Sequence, residues 1–181
     1  MKDILEILYN ADKEAPLPAE AAENLKKNNE MMSGVFELEP KPVTEAEVNE
    51  TLFRIQSMTQ KDIIINLELK DEYNSMVNEY GEVREDLLSE MGWDHHEHSF
   101  FSYRFSVSLP EIIAEKLFPK GRLKKNCHEF EGYDEAKRVA NKLNASYSRT
   151  LSTMSGHGLI KKINNNYIIT DKGKEIFKAK C

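Results

Sequence analysis

The chain has 181 residues, 40% of them hydrophobic and 31% charged, with eight Gly, six Pro and two Cys. That balance excludes fibrous, disordered and disulfide-stapled classes, and no run approaches the eighteen or so consecutive apolar residues of a membrane span. The net charge of −6 is segregated: residues 116–181 carry 15 Lys and Arg against 6 Asp and Glu, while residues 1–115 carry 10 against 25. A basic module that meets polyanions, joined to an acidic module with another task, is the expectation from such an asymmetry. Met1 to Asn10, with Asp3 and Glu6, lacks the basic start and apolar run of a signal peptide, so a cytoplasmic location with reduced thiols is expected.

In chain order, KDILEILYNA over residues 2–11 places Ile4, Leu5 and Leu8 on one helical face. Pro16 and Pro18 interrupt it. Ala19 to Met32 favours helix by propensity but offers few apolar positions, and Ser33 to Pro42 reads as an extended connector. Thr44 with Glu47 three residues on forms a capping box for a helix Glu45 to Thr59, with Val48, Leu52, Ile55 and Met58 or Thr59 as its buried stripe. Asp62 to Lys70 (DIIINLELK) is Ile-rich and reads as a strand. Asp71 to Met91 reads as a helix carrying Tyr73, Met76, Val77 and Tyr80. Ser99 to Leu109 alternates Phe101, Tyr103, Phe105 and Val107 against polar residues, a strand by its period of two.

From Leu109 the expected elements are a helix Pro110 to Phe118, a basic loop with Lys120, Arg122, Lys124 and Lys125, and a short strand at Glu129 to Tyr133. A helix Glu135 to Leu143 follows, then a turn at Asn144, Ala145 and Ser146. The next helix, Ser146 to Ser155, buries Tyr147, Leu151 and Met154 at i, i+4 and i+7. Leu159 to Ile163 and Tyr167 to Thr170 make a hairpin about Asn164, Asn165 and Asn166, and Asp171 to Ala179 closes the chain as a helix.

Val139, Ala140, Leu143, Ser146, Gly158, Leu159, Ile160, Ile169, Thr170 and Gly173 carry a pattern that resembles the winged helix-turn-helix repressors of the MarR and ArsR type. The resemblance covers about a third of the chain. It departs at Tyr147, where those proteins have a small branched residue, and at Gly156, which loosens the end of the second helix. It implies that the helix Ser146 to Ser155 enters a DNA major groove, with Arg149 on guanine and Ser146, Ser148, Ser152 and Thr153 on bases or phosphates. Lys161, Lys162, Asn164, Asn165 and Asn166 would form the wing contact. Lys124 and Lys125, with Lys137, Arg138 and Lys142, would add phosphate contacts.

The expected fold is therefore α+β: a helical region 1–60, a strand-helix-strand acidic module 61–108 and a winged helix-turn-helix domain 109–181. The expected function is a DNA-binding regulator of transcription or replication, a homodimer on double-stranded DNA, with the acidic module available to a protein partner. A winged helix that docks proteins and not DNA is the competing reading. A third rests on Asp94, His95, His96, Glu97 and His98: a metal-responsive regulator, with His96 and His98 on one side of an extended segment. The same pair is similar to the His-hydrophobe-His element of nicking enzymes, but Glu97 stands at its middle. No nucleophile-base arrangement or phosphate-cradling glycine motif is present, and neither catalysis nor a cofactor is expected.

Overall fold

In the computed structural model, residues 1–36, 39–77, 107–117 and 132–179 are described. Among them, eight helices and one three-stranded antiparallel sheet give an α+β fold. The chain divides into two compact units, Met1–Thr59 with Leu151–Cys181, and Gln60–Thr150. These do not follow the expected boundaries: the hairpin belongs with the N-terminal helices.

In the first unit, α1 (Lys2–Glu14) buries Ile4, Leu5 and Leu8, as its spacing predicts. It packs on α3 (Glu45–Gln56), on the last helix α8 (Asp171–Ala179) and on β3 (Asn166–Ile169). The rings of Tyr9 and Phe177 meet at 5.0 Å between α1 and α8. Helix α2 (Pro18–Phe36) lies against α3 and buries only Ala21. It runs four residues past the expected end at Met32, because no Pro lies between Pro18 and Phe36 and a single Gly, Gly34, does not by itself break a helix.

The capping box of α3 is formed: the Thr44 amide donates to Glu47 Oε2 at 2.8 Å, and the Glu47 amide donates to Thr44 Oγ1 at 3.3 Å. The bond from the Thr44 amide, joined by one from its hydroxyl, holds the Glu47 carboxyl below its ordinary pKa. Of the expected stripe only Val48 is buried, while Ile55 is exposed. The helix also stops earlier than predicted, because Met58 and Thr59 leave it as β1 (Met58–Thr59) to pair with Tyr167 and Asn166 of β3. With β2 (Ile160–Ile163), the sheet order is β1-β3-β2.

The second unit holds α4 (Gln60–Glu68), α5 (Lys70–Met76), α6 (Leu109–Leu117) and α7 (Tyr133–Gly156) as far as Thr150. Its core gathers Ile64, Ile65, Leu69, Met76, Val107, Leu109, Ile112, Ile113, Ala114, Ala136 and Ala140. Here the strand expected at Asp62 to Lys70 is a helix. Ile63, Ile64, Ile65 and Leu69 are all buried. A short continuous apolar run is equally consistent with a buried strand or a buried helix, and the packing partner decides. Of the predicted helix 71–91 the described part is α5, with Met76 buried. Val107 and Ser108 precede α6 without strand pairing; residues 99–106, the basic loop 119–125 and the first part, 129–131, of the strand expected at Glu129 to Tyr133 lie outside the described residues, while Tyr133 itself begins α7 instead of ending a strand.

The expected turn at Asn144, Ala145 and Ser146 is also absent: α7 is one helix of 24 residues. No Gly or Pro lies between Tyr133 and Ser155 to break it, and Asn144, Ala145 and Ser146 adopt helix at modest cost once the residues on both sides are buried. Gly156 ends the helix as predicted.

Candidate nucleic-acid interface

The face of α7 that the sequence assigned to DNA is exposed. Ser146, Ser148, Arg149, Ser152 and Thr153 all face solvent, whereas Leu151 and Met154 are fully buried. Successive residues turn by about 100° in a helix, so Ser146, Arg149 and Thr153 share one stripe and Ser148 and Ser152 the next. The Arg149 Nε donates to the Ala145 carbonyl at 3.1 Å, which lays the first part of the side chain along the helix. Lys137, Arg138 and Lys142 are exposed on the same helix; Lys137 lies 5.8 Å over the Tyr133 ring and Arg138 pairs with Glu135 at 3.8 Å.

In the first unit the end of α7 is tied closely to the hairpin. The Gly158 amide donates to Ser155 and the Leu159 amide to Met154, the two bonds of a Schellman ending. Gly158 takes the left-handed conformation this requires, with φ of 71°. The Thr170 hydroxyl then lies 2.6 Å from the Gly158 carbonyl and 3.0 Å from that of Leu159, and accepts from the Gly173 amide at 3.1 Å. Thr170 thereby caps α8 and locks the helix-to-strand turn. Gly173 is buried, and a Cβ there would collide with the Leu159 carbonyl. These contacts give a physical role to the Thr170 and Gly173 of the sequence pattern.

The hairpin pairs Ile163 with Asn166, leaving Asn164 and Asn165 as its two-residue loop. Asn164 has φ of 54°, a conformation that asparagine tolerates better than most residues. Lys161, Lys162, Asn164 and Asn165 are exposed. Asn166 is half-buried and belongs to β3, so of the three asparagines it is the one held in the sheet. Lys162 Nζ lies 5.7 Å over the Tyr167 ring. Two more cations of the C-terminal segment are engaged within the unit: Lys174 with Asp12 at 2.6 Å, and Lys178 over Tyr9 at 5.8 Å.

Lys124 and Lys125 lie outside the described residues, as do His95, His96 and His98. Among the described residues no group of three His, Cys, Asp or Glu is placed to hold a metal ion, and no helix is long and apolar enough to cross a membrane.

Sequence reasoning missed Gln60 and Glu68, at the two ends of α4, because Asp62 to Lys70 reads as a strand and Gln60 falls between that strand and the expected helix Glu45 to Thr59. The Gln60 side-chain amide donates to the Asn144 carbonyl at 2.8 Å and to Asn144 Oδ1 at 3.2 Å. Glu68 Oε1 accepts from the Tyr147 hydroxyl at 2.7 Å. The signal available for a helix was Gln60, Lys61 and Asp62 ahead of an apolar run, with an acidic residue in the first turn.

Compared with protein-family profiles, curated protein sequences and solved structures, the chain matches none.

Proposed function

We propose that the chain is a winged-helix DNA-binding regulator whose reading helix is the second part of α7, residues 146–155. Its helix-turn-helix is interrupted by an insertion. In chain order, this reading takes α3, β1 and α4 as the first helix, first strand and second helix of the winged-helix pattern. The segment from about residue 69 to 143 is inserted, and the later part of α7, β2, β3 and α8 follow as the remaining elements of that order. The helix Glu135 to Leu143, which the sequence suggested as the first of the pair, is then the lead-in to the reading helix and part of the insertion.

The observation that carries this reading is the sheet order β1-β3-β2, in which a two-residue strand directly before a helix pairs with the distal strand of a hairpin. Hydrogen bonds from both ends of α4 to the part of α7 around Asn144 and Tyr147 support it. Gln60 and Glu68 are separated by about 12 Å along α4, yet they reach Asn144 and Tyr147, separated by about 4.5 Å along α7. The exposed Ser and Arg face of α7 and the exposed wing lysines supply the polar and cationic groups that duplex DNA requires. One reading helix supplies few specific contacts, so the active form on this reading is a two-fold dimer, each copy on one half-site.

The test is fluorescence anisotropy of the protein with a labelled random duplex from low to physiological salt, followed by selection of a preferred site. Binding that falls steeply with log salt is expected. Arg149→Ala should weaken the selected site by about 1–3 kcal/mol and relax base preference there. No binding at low salt would overturn the reading in favour of a protein-docking winged helix.

A further inference from the structure

Tyr147 occupies the position at which the winged-helix pattern has a small branched residue, and the structure gives its hydroxyl a partner distant in sequence. It donates to Glu68 Oε1, 79 residues away, at 2.7 Å. Glu68 is the last residue of α4, and both its side chain and its main chain are engaged. Its carbonyl accepts from Lys116 Nζ of α6 at 2.8 Å, and the same ammonium lies 3.4 Å from Glu72 Oε1 of α5. The end of α4 is thus held by α5 and α6 while its carboxylate holds α7. At the start of α4, Gln60 holds Asn144.

Two ties, one to Asn144 and one to the Tyr147 hydroxyl, restrain the rotation of this part of α7 about its own axis. Tyr147 and Arg149 are two residues apart, or about 200° around the helix. A Tyr147 ring turned inward against the core of the second unit, with its hydroxyl held, therefore turns Arg149 outward. Because a bidentate contact to a base edge tolerates little rotational error, the aim of Arg149 depends on this tie.

Resting on the DNA-binding reading, we propose that Glu68 and Tyr147 are a positioning pair that sets base discrimination by fixing the rotation of the reading helix, without touching DNA. The bond joins a phenol to a carboxylate, a charge-assisted class stronger than a neutral bond. Its loss should appear in the ratio of selected-site to random-duplex affinity and leave the number of phosphate contacts unchanged.

The experiment compares the full-length protein with Tyr147→Phe, Glu68→Ala, Glu68→Gln and the Tyr147→Phe/Glu68→Ala double variant on a selected duplex and a random duplex. Tyr147→Phe keeps the ring in the core, and Glu68 is exposed, so the fold is retained. The expected result is a selected-site affinity about 3–10-fold lower in Tyr147→Phe and in Glu68→Ala. Random-duplex affinity and salt slope stay unchanged, and the double variant is no worse than the weaker single one. Glu68→Gln, whose amide oxygen still accepts the hydroxyl, should restore most of the discrimination. Additive losses, an equal fall on both duplexes, or no change would overturn the proposal.

Failure of the wild-type chain to bind any duplex would overturn the DNA-binding reading itself. Amide exchange on the free protein tests the tie separately. Residues 146–150 should exchange more slowly in wild type and Glu68→Gln than in Tyr147→Phe, and equal rates would show that the bond positions nothing.

Discussion

The Asp12 carboxylate lies 2.6 Å from the Lys174 ammonium, tying the first helix of the chain to the last. Both side chains are more than two-thirds buried, at 23% and 28% exposed. The pair is therefore screened less than a surface ion pair, and removal of one partner leaves a partly buried charge without its counterion. Asp12→Ala should destabilise the first unit by about 1–3 kcal/mol, between the ranges for exposed and fully buried pairs. Denaturant midpoints at low and high salt check this: an unchanged midpoint would mean that the pair contributes nothing.

Gly173 tests how tightly the last helix rests on the turn after α7. Two effects of Gly173→Ala oppose one another. Alanine favours the helix by about 1 kcal/mol, but the added Cβ meets the Leu159 carbonyl, a backbone atom that cannot swing aside. Since that carbonyl also accepts from the Thr170 amide at 3.1 Å, moving it disturbs a second contact. We expect a net loss of about 1–3 kcal/mol, the usual range for overpacking. A thermal midpoint equal to or above that of the wild type would show that the turn relaxes without cost.

Thr44 and Glu47 predict both a stability change and its pH dependence. Thr44→Ala removes the α3 cap and should cost about 1 kcal/mol. The Glu47 carboxyl titrates below its ordinary value because the Thr44 amide donates to it. With its folded value depressed, its contribution is fully present above the unfolded carboxylate pKa and disappears as pH falls through the lower folded value. The stability difference between wild type and Glu47→Gln should therefore begin to shrink below about pH 4.3 and close as pH falls through the lower folded value. Parallel stability curves between pH 7 and pH 3 would contradict the assignment.

Lys161 and Lys162 stand exposed on β2, and on the proposed reading each neutralises a phosphate. Replacing both with alanine should reduce the slope of log affinity against log salt by about 2 in magnitude and weaken selected and random duplexes alike. An unchanged slope would remove the wing from the interface.

The elements most legible in the sequence were those whose signals are local. The Thr44–Glu47 box, the Ile4, Leu5 and Leu8 face of α1, and the hairpin after Gly158 each depend on residues within about seven positions and each forms, although the turn is Asn164–Asn165 and not the expected three asparagines, Asn166 having entered β3. The exposed side of residues 146–153 was legible for the same reason, since helical periodicity alone separates Arg149 from Leu151. The wrong assignments share a different cause. Ile63, Ile64 and Ile65 suit a strand as well as a helix, and Met58 and Thr59 continue the helical pattern of α3.

The α1 face, the Thr44 cap, the hairpin and the opposition of an acidic N-terminal and a basic C-terminal part are set locally, because each is a property of neighbouring residues or of composition. Only the tertiary structure decided that Met58 and Thr59 leave α3 to pair with β3. The same holds for residues 60–68, which form a helix held against α7, and for α7 itself, which runs unbroken through Asn144. Those outcomes depend on partners some 80 to 110 residues distant, such as Asn144 for Gln60, Tyr147 for Glu68 and Tyr167 for Met58, and long-range burial and pairing override the local preference of a short segment.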